Sequence, residues 1–323
     1  MTGTVLVTSR SFSSGGLDLV ARLEGAGLRV VRGSTTHDLE ELRPVLRDAV
    51  AWIAGTAPVT ALHLESAPAL RVVARYGTGV DAVDLDAAAR AGVVVTNTPG
   101  ANSEAVAEHA VALLFAVLRG VPAGDRRVRR DDWSVSRGRQ LAGSVAGVVG
   151  FGRIGRGVVH RLLALGCEVL VHDPNVAEDD VLALGAKPAL LEQVCRAAQV
   201  VSLHAPGGSA VVDAAWLSRC PAEQVVVNTA RADLVDEPAL ARALREGRMA
   251  GFAADTLATE GGSGQASPLL ADDLADRVVV TPHLGAQTRE AVDTMGSLAV
   301  DDVLAVLAGR PPAHPVTPPG ARP

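Results

Sequence analysis

The stretch from Ser144 to Asp173 limits the folds open to this chain more than any other. Its small apolar run, Val145 to Val149, reads as a buried strand. The run feeds straight into Gly150-Phe151-Gly152-Arg153-Ile154-Gly155, which fits G-x-G-x-x-G. A helical pattern follows, with Ile154, Val158, Leu162 and Leu165 on one face. A second strand, Cys167 to Val171, leads to Asp173, eighteen residues past the last glycine. A bare G-x-G-x-x-G also occurs as a glycine-rich turn in other α/β domains. Strand before, helix after and an acid ending the next strand meet the context test for a dinucleotide-binding βαβ unit.

Each part of that unit has a physical task. Gly150 permits the tight turn, Gly152 lets the backbone approach a pyrophosphate, and Gly155 lets helix and strand pack closely. The helix N-terminus, with Arg153 and Ile154 in its first turn, offers N–H groups to the anion. Asp173 accepts from the adenosine ribose hydroxyls and repels a 2′-phosphate, so the expected cofactor is NAD rather than NADP.

The same β/α rhythm runs along the rest of the chain. Strand-like runs at Thr4–Thr8, Leu28–Val31, Ala49–Ala54, Arg71–Tyr76 and Val93–Asn97 alternate with helical ones, predicting a parallel sheet of its own. After Asp173 come Val200–His204, Val225–Asn228, Ala250–Ala254 and Val278–Val280. Polar residues collect after these strands, where open parallel sheets bind ligands. The expected fold class is therefore α/β, with two Rossmann-like or flavodoxin-like doubly wound parallel-sheet domains. Glu290 to Leu307 reads as a final helix that returns to the first sheet, and the proline-rich tail from Arg310 reads as extended or disordered. Asn102 onward is a long apolar helix. Its adjacent Glu108 and His109 cannot share one face, and the pair is given no catalytic weight. Arg126 to Asp132 reads as a solvated charge run.

Composition narrows the function. The 323 residues suffice for two domains, and 48% hydrophobic with 20% charged residues suits a soluble globular protein. Aromatics are only 2%, so the cores must rely on Val, Leu, Ala and Ile. A net charge of -6 argues against a general nucleic-acid surface. No apolar run reaches membrane-spanning length and nothing resembles a signal peptide, so the expected location is cytoplasmic, with neither membrane nor nucleic acid as partner. Cys167, Cys195 and Cys220 lack metal-ligand spacing and read as reduced structural thiols, and no metal site is expected. Lys187, the only lysine, lies outside any Walker sequence, which argues against a P-loop NTPase and a Schiff-base enzyme.

Arg231, Glu260 and His283 follow successive strands of the nucleotide-binding region, and their chemistry suits hydride transfer to a 2-oxo acid. A guanidinium binds a substrate carboxylate or polarises its carbonyl. A histidine protonates the new alkoxide, or takes the hydroxyl proton in reverse. A carboxylate on the other ring nitrogen sets the tautomer and favours imidazolium. Each also has a plain reading: Arg231 paired with Asp233 or Asp236, Glu260 as a loop charge, His283 as a helix cap. Gly77-Thr78-Gly79-Val80-Asp81-Ala82 either binds a small carboxylate through its amides or is an ordinary turn.

Several separated motifs resemble those of the D-2-hydroxyacid dehydrogenase family, close to its phosphoglycerate-dehydrogenase-like branch, across nearly the full length. Besides the fingerprint, these are Asn97-Thr98-Pro99-Gly100-Ala101-Asn102-Ser103, Asn228-Thr229-Ala230-Arg231 with Asp236-Glu237, Ala254-Asp255 with Glu260 beyond, and Thr281-Pro282-His283-Leu284-Gly285. The steps of 29 residues from Arg231 to Glu260 and 23 to His283 are similar to the family's. The resemblance implies that Arg231, Glu260 and His283 are the catalytic set. It implies that Asp255 meets the nicotinamide side of NAD, with His204, Thr229, Ala230 and Gly285 also at the cofactor. It implies that Gly77, Thr78 and Gly79 hold the substrate carboxylate, with Arg231 as a further substrate contact; Arg75 is read apart from the resemblance, either as a contact for an acidic distal group or as part of a structural salt bridge. It implies a discontinuous substrate domain, 1–99 plus 286–323, an NAD-binding domain, 100–285, catalysis in the cleft between them, and a homodimer.

The implied activity interconverts a small 2-oxo acid and its D-2-hydroxy acid, with His283 as general acid/base. Alternatives within the same fold are an NAD(H)-binding corepressor-like module and a formate- or phosphite-type dehydrogenase. The sequence departs from the family at Ala82, at Ala232, and at Gly261 within a loose 261–265 loop. Ile53-Ala54-Gly55-Thr56 lacks the arginine that phosphoglycerate enzymes use for phosphate.

Overall fold

A computed structural model describes residues 3–260 and 266–316. The expected departure at 261–265 and the last residues of the tail lie outside the described residues. The chain divides into two compact units, Met1–Asn102 with Ala286–Pro323, and Ser103–Gly285.

The first unit is a five-stranded parallel sheet of β1 (Gly3–Val7), β2 (Leu28–Arg32), β3 (Ala49–Ala54), β4 (Val72–Arg75) and β5 (Val94–Thr96). The spatial order is β2-β1-β3-β4-β5, so the chain reverses its direction of travel between β1 and β3. The helix Arg289–Leu307 packs on β3 and β4 through residues including Val292, Met295, Val300 and Val303. Tyr76 donates its hydroxyl to the Val292 carbonyl at 2.9 Å, and Arg71 donates to the Val306 and Leu307 carbonyls at 2.8 and 3.0 Å. The two Arg71 bonds satisfy carbonyls that a helix C-terminus leaves open.

The start of the tail is ordered by backbone pairing, so of the two expectations for the run from Arg310, extended or disordered, its described residues around Pro315 take the first. Pro315 bridges antiparallel to Thr96, and the Val316 N–H donates to the Val95 carbonyl at 2.8 Å. Proline suits this position because an edge strand has one row of amides without a ladder partner. The fully buried Asp302 carboxylate accepts from the Ala313 N–H at 2.7 Å and meets His314 Nδ1 at 3.1 Å.

At the reversal point of the first sheet, the polar groups at the strand ends form a closed chain. Trp52 Nε1–H and the Gly55 N–H both donate to Thr8 Oγ1, at 2.9 and 3.1 Å. Those two bonds use both acceptor sites of the hydroxyl, so its proton must go to His37 Nε2, 2.7 Å away. His37 Nδ1–H then donates to the Pro58 carbonyl at 2.9 Å. Burial pushes the His37 pKa down to about 4, against the pull of the Pro58 bond. Both arguments make this histidine neutral. His63 Nε2 closes the cluster on the His37 carbonyl at 2.8 Å.

The second unit is a seven-stranded parallel sheet of β6 (Val145–Val149), β7 (Glu168–His172), β8 (Lys187–Pro188), β9 (Val200–Leu203), β10 (Val225–Asn228), β11 (Gly251–Ala254) and β12 (Val278–Val280). The order is β12-β11-β10-β9-β6-β7-β8, with the reversal between β6 and β9. Side chains alternate strictly across this sheet. Val226, Phe252 and Leu203 pack in the core on one face, and Val225, Val227, Ala253 and Val200 in the core on the other. With so few aromatics, both cores are built from aliphatic side chains that interdigitate at this period of two.

Candidate active site

The glycine turn lies at the reversal point between β6 and β9, the position at which doubly wound sheets take nucleotides. Gly150 has φ +96°, and a Cβ there would strike the His204 backbone at 2.5 Å. Gly155, in the first turn of the helix Arg153–Ala164, packs so tightly that a Cβ would overlap the Gly150 carbonyl. These two glycines are required by the protein itself. Gly152 is different, because a Cβ there would meet nothing within 4 Å. It is the N-cap of that helix, has extended φ and ψ, and carries no side chain to cap the first amides. The helix N-terminus at Arg153 and Ile154 is thus open to an outside anion.

Asp173 follows β7 beside this turn. Its Oδ2 accepts the Phe151 N–H at 2.7 Å and its Oδ1 the Asn175 N–H at 2.9 Å. Each oxygen has a second lone pair for a ribose hydroxyl. His204 follows β9, pairs with Ser202 Oγ at 2.8 Å and has its pKa lowered to about 4 by burial, so it presents a neutral ring.

At the ends of β10 and β11, the buried hydroxyls of Thr229 and Thr256 have no hydrogen-bond partner among the described residues. Orphaned polar atoms at the carboxyl edge of a parallel sheet call for a polar ligand. Asn228 shapes the adjoining turn by accepting the Ala230 N–H at 3.0 Å and donating to the Arg231 carbonyl at 2.8 Å. With Gly152 open, Asp173 beside it and these hydroxyls waiting, the residues present fit a dinucleotide.

Asp255, 4% exposed, organises the loop after β12. Its Oδ1 accepts from the Thr281 hydroxyl at 2.5 Å and the Leu284 N–H at 2.9 Å, and its Oδ2 from the Gly285 N–H at 2.7 Å. Burial alone raises a carboxyl's pKa, but hydrogen bonds from His109, Thr281, Leu284 and Gly285 outweigh it and hold this one below the usual range. His109 Nε2–H donates to Thr281 Oγ1 at 2.9 Å and lies 3.3 Å from Asp255 Oδ1. Its neighbour Glu108 faces away, onto Arg161 at 3.1 Å. His109 is the site residue that the sequence reading passed over. Its one signal was an ionisable ring in a helix whose neighbouring positions Val106, Ala107 and Ala110 are buried.

That scaffold holds His283 at φ +51°, a left-handed conformation costly for a residue with a Cβ. The His283 N–H donates to the Asp255 and Thr281 carbonyls, each at 3.0 Å. From this position Nδ1 meets Glu260 Oε1 at 2.5 Å. A carboxylate only accepts, so Nδ1 carries the proton and Nε2 is the nitrogen left to exchange one. The Glu260 bond raises the His283 pKa, against burial and against the charge of Arg231. Arg231 itself donates to the Ala230 carbonyl at 2.9 Å. Asp233 holds the Gly208 N–H at 2.7 Å, and Asp236 caps the next helix at the Ala239 N–H, 2.9 Å.

The remaining predicted residues belong to the first unit. Gly77 has φ +137°, and its N–H donates to Thr98 Oγ1 at 3.1 Å. Asn97 Nδ2 donates to the Thr78 carbonyl at 2.8 Å, and Arg75 Nε to the Gly79 carbonyl at 3.0 Å. Arg75 is buried, with a further bond to the Ala54 carbonyl at 3.3 Å, so its guanidinium shapes this loop from beneath.

Comparison with known proteins agrees with this geometry. Residues 111–285 match the family model described as D-isomer specific 2-hydroxyacid dehydrogenase, NAD binding domain. The D-3-phosphoglycerate dehydrogenase of Mycobacterium tuberculosis is 40% identical over 285 residues, which are 86% of this chain and 53% of that protein. The chain thus spans about half the length of the curated relatives it matches. Among solved structures, the TT0316 protein from Thermus thermophilus is 35% identical with a TM-score of 0.87, covering 97% of this chain and 100% of that one. The D-lactate dehydrogenase of Aquifex aeolicus, solved with NAD and lactic acid, is 25% identical with a TM-score of 0.82, covering 95% and 96%.

Proposed function

The chain belongs to the D-isomer specific 2-hydroxyacid dehydrogenase family, and from that premise we propose that it transfers hydride between NAD and a small 2-oxo or D-2-hydroxy acid. The observation that carries this reading is the His283–Glu260 pair, 2.5 Å apart on a left-handed loop in the unit bearing the dinucleotide turn. Gly150, Gly152, Arg153, Ile154 and Gly155 receive the pyrophosphate, and Asp173 the ribose. Thr229, Ala230, Asp255 and Gly285 line the nicotinamide end, with His204 behind the turn. When bound, the cofactor supplies hydride to the substrate's C2 or accepts it from there.

The chain's own residues do the rest. In reduction, protonated His283 gives its Nε2 proton to the carbonyl oxygen as C2 gains hydride, leaving a hydroxyl and a neutral imidazole. In oxidation, neutral His283 takes the hydroxyl proton as hydride leaves C2. Glu260 favours the imidazolium in both directions by accepting from Nδ1. Arg231 offers a guanidinium to the substrate carboxylate and carbonyl. The Gly77 amide is engaged by Thr98, so the carboxylate role of the Gly77-Thr78-Gly79 loop falls to the amides of Thr78 and Gly79.

A Cβ at Gly55 would strike the Thr8 carbonyl at 2.6 Å, and Ala54 is fully buried, so neither of these two positions can carry a cationic side chain. This supports a small unphosphorylated 2-oxo acid as substrate ahead of phosphoglycerate. A homodimer formed through the second unit belongs to the same proposal, supported by exposed Trp133 and Val135, 74% and 95% accessible. A cytoplasmic location suits three free thiols.

The test is NADH oxidation against a panel of phosphorylated and unphosphorylated 2-oxo acids, with His283→Ala alongside. The expected result is turnover on an unphosphorylated acid that falls by at least about 10²-fold in the variant while NADH affinity holds. Tight NADH binding with no turnover across the panel refutes the 2-oxo acid reading, and NAD reduction with formate or phosphite then separates a dehydrogenase of that type from a binding module.

A further inference from the structure

Glu237 is a buried carboxylate that neither the capping pattern nor the acid/base chemistry explains. It opens the helix Glu237–Arg245, yet that helix is already capped by Asp236. It is 6% exposed, and a buried carboxylate is tolerated only with strong donors. The donors come from two separate places in the chain. Oε1 accepts the Ala258 N–H at 2.7 Å, and Oε2 accepts the Ser267 hydroxyl at 2.5 Å. Ser267 is 4% exposed, and its Oγ also accepts the Leu269 N–H at 3.2 Å, starting the short helix Pro268–Leu270.

Ala258 lies two residues before Glu260. The turn closed by the Glu260 N–H on the Leu257 carbonyl, at 2.9 Å, begins one residue before the Ala258 anchor. The Glu237 carboxylate, oriented by Ser267, therefore ties this turn to the rigid start of a helix. Glu260 in turn reaches His283 Nδ1 over 2.5 Å. Hydrogen bonds that short demand placement to a few tenths of an ångström, and a side chain on a loop obtains that only from a supporting shell.

We propose that Glu237, its carboxylate oriented by Ser267, is a positioning residue for the acid/base pair, acting through Ala258 to hold Glu260 against His283. The inference rests on the reading of His283 and Glu260 given above, and its test separates the two. The full chain is labelled at histidine and the His283 ring titrated by NMR, with His283→Asn identifying the signal. The variants are Glu260→Gln, Glu237→Ala, Glu237→Gln, Ser267→Ala and the Glu237→Ala/Glu260→Gln pair.

Glu260→Gln lowers the His283 titration midpoint. Ser267→Ala and Glu237→Ala lower it part of the way, and Glu237→Gln recovers part of the loss in Glu237→Ala. The double variant titrates with Glu260→Gln alone, because the proposal routes the effect of Glu237 on His283 through Glu260. Turnover falls about 10–100-fold in Glu237→Ala, with KM for NADH within about twofold. Should Glu237→Ala fail to fold, Ser267→Ala carries the test, since it removes one anchor and leaves the carboxylate. A His283 midpoint that stays put in folded Ser267→Ala, or additive shifts in the double variant, overturns the inference. A midpoint unmoved by Glu260→Gln refutes the His283–Glu260 pairing itself, a separate failure visible without any substrate.

Discussion

Lowering the pH tests the first unit at a single side chain. Unfolded His37 titrates near 6.5, whereas in the fold burial holds it at about 4. Between those values the unfolded chain binds a proton that the folded chain refuses. Stability from this group is therefore complete above pH 6.5, falls as pH drops, and levels off below about 4. At about 1.4 kcal/mol per pH unit, the loss sums to about 3 kcal/mol. The hydrogen bonds require the same sign. Charging His37 puts a proton on Nε2 facing Thr8 Oγ1, whose acceptor sites are filled by Trp52 and Gly55.

The assay is hydrogen exchange at the Thr8 and Gly55 amides from pH 7 to 4, corrected for intrinsic rates, with His37→Asn for comparison. Asparagine tolerates the φ of +58° at this position, so the variant keeps the backbone while removing the titration. It should be less stable at pH 7 yet lose less between pH 6.5 and 4. Parallel pH slopes in the two proteins would refute the reasoning, as would a His37 titration near 6.5 in the folded state.

Three further outcomes follow from the second unit. Glu260→Gln should move the alkaline limb of the reduction profile to lower pH, because His283 loses the bond that raises its pKa; steady-state rates across pH read this directly. Asp173→Ala should weaken NAD by about tenfold and NADP far less, since one carboxylate both bonds the ribose and repels a 2′-phosphate; equilibrium titration of both cofactors decides it. His283→Gly should be more stable to urea than His283→Ala by about 1 kcal/mol, although both are inactive, because only glycine takes φ +51° without strain.

The parts of the molecule legible in the sequence are those set by local pattern. Val145–Val149 and Val278–Val280 are strands with the bounds that their apolar runs suggest, and the returning helix ends at Leu307 as its periodicity does. The glycine turn is local for the same reason: its tasks are performed within one βαβ unit. What remained hidden depends on contacts between distant positions. His109 meets Thr281 across 172 residues of sequence, and Glu237 reaches Ser267 across 30. Neither carries a spacing signal, because nothing about a helix face names the loop it will touch. The two-residue β8 is too short for any periodicity. For the tail, proline-rich composition describes a chain's intrinsic preference for extension, while the partner that orders it, the edge of β5, is a distant one.

The helix Arg289–Leu307 gives the first unit an unusual order of assembly on the ribosome. Its five strands are all synthesised by Thr96, but the apolar surface of β3 and β4 stays uncovered until the far end of the chain emerges. At ordinary translation rates that interval is roughly 10–40 s. The contiguous unit 103–285 has its last residue made only roughly 1–4 s before that helix is finished. The sheet made first is thus completed last, and through nearly all of the synthesis of the second unit its apolar face has no helix to cover it.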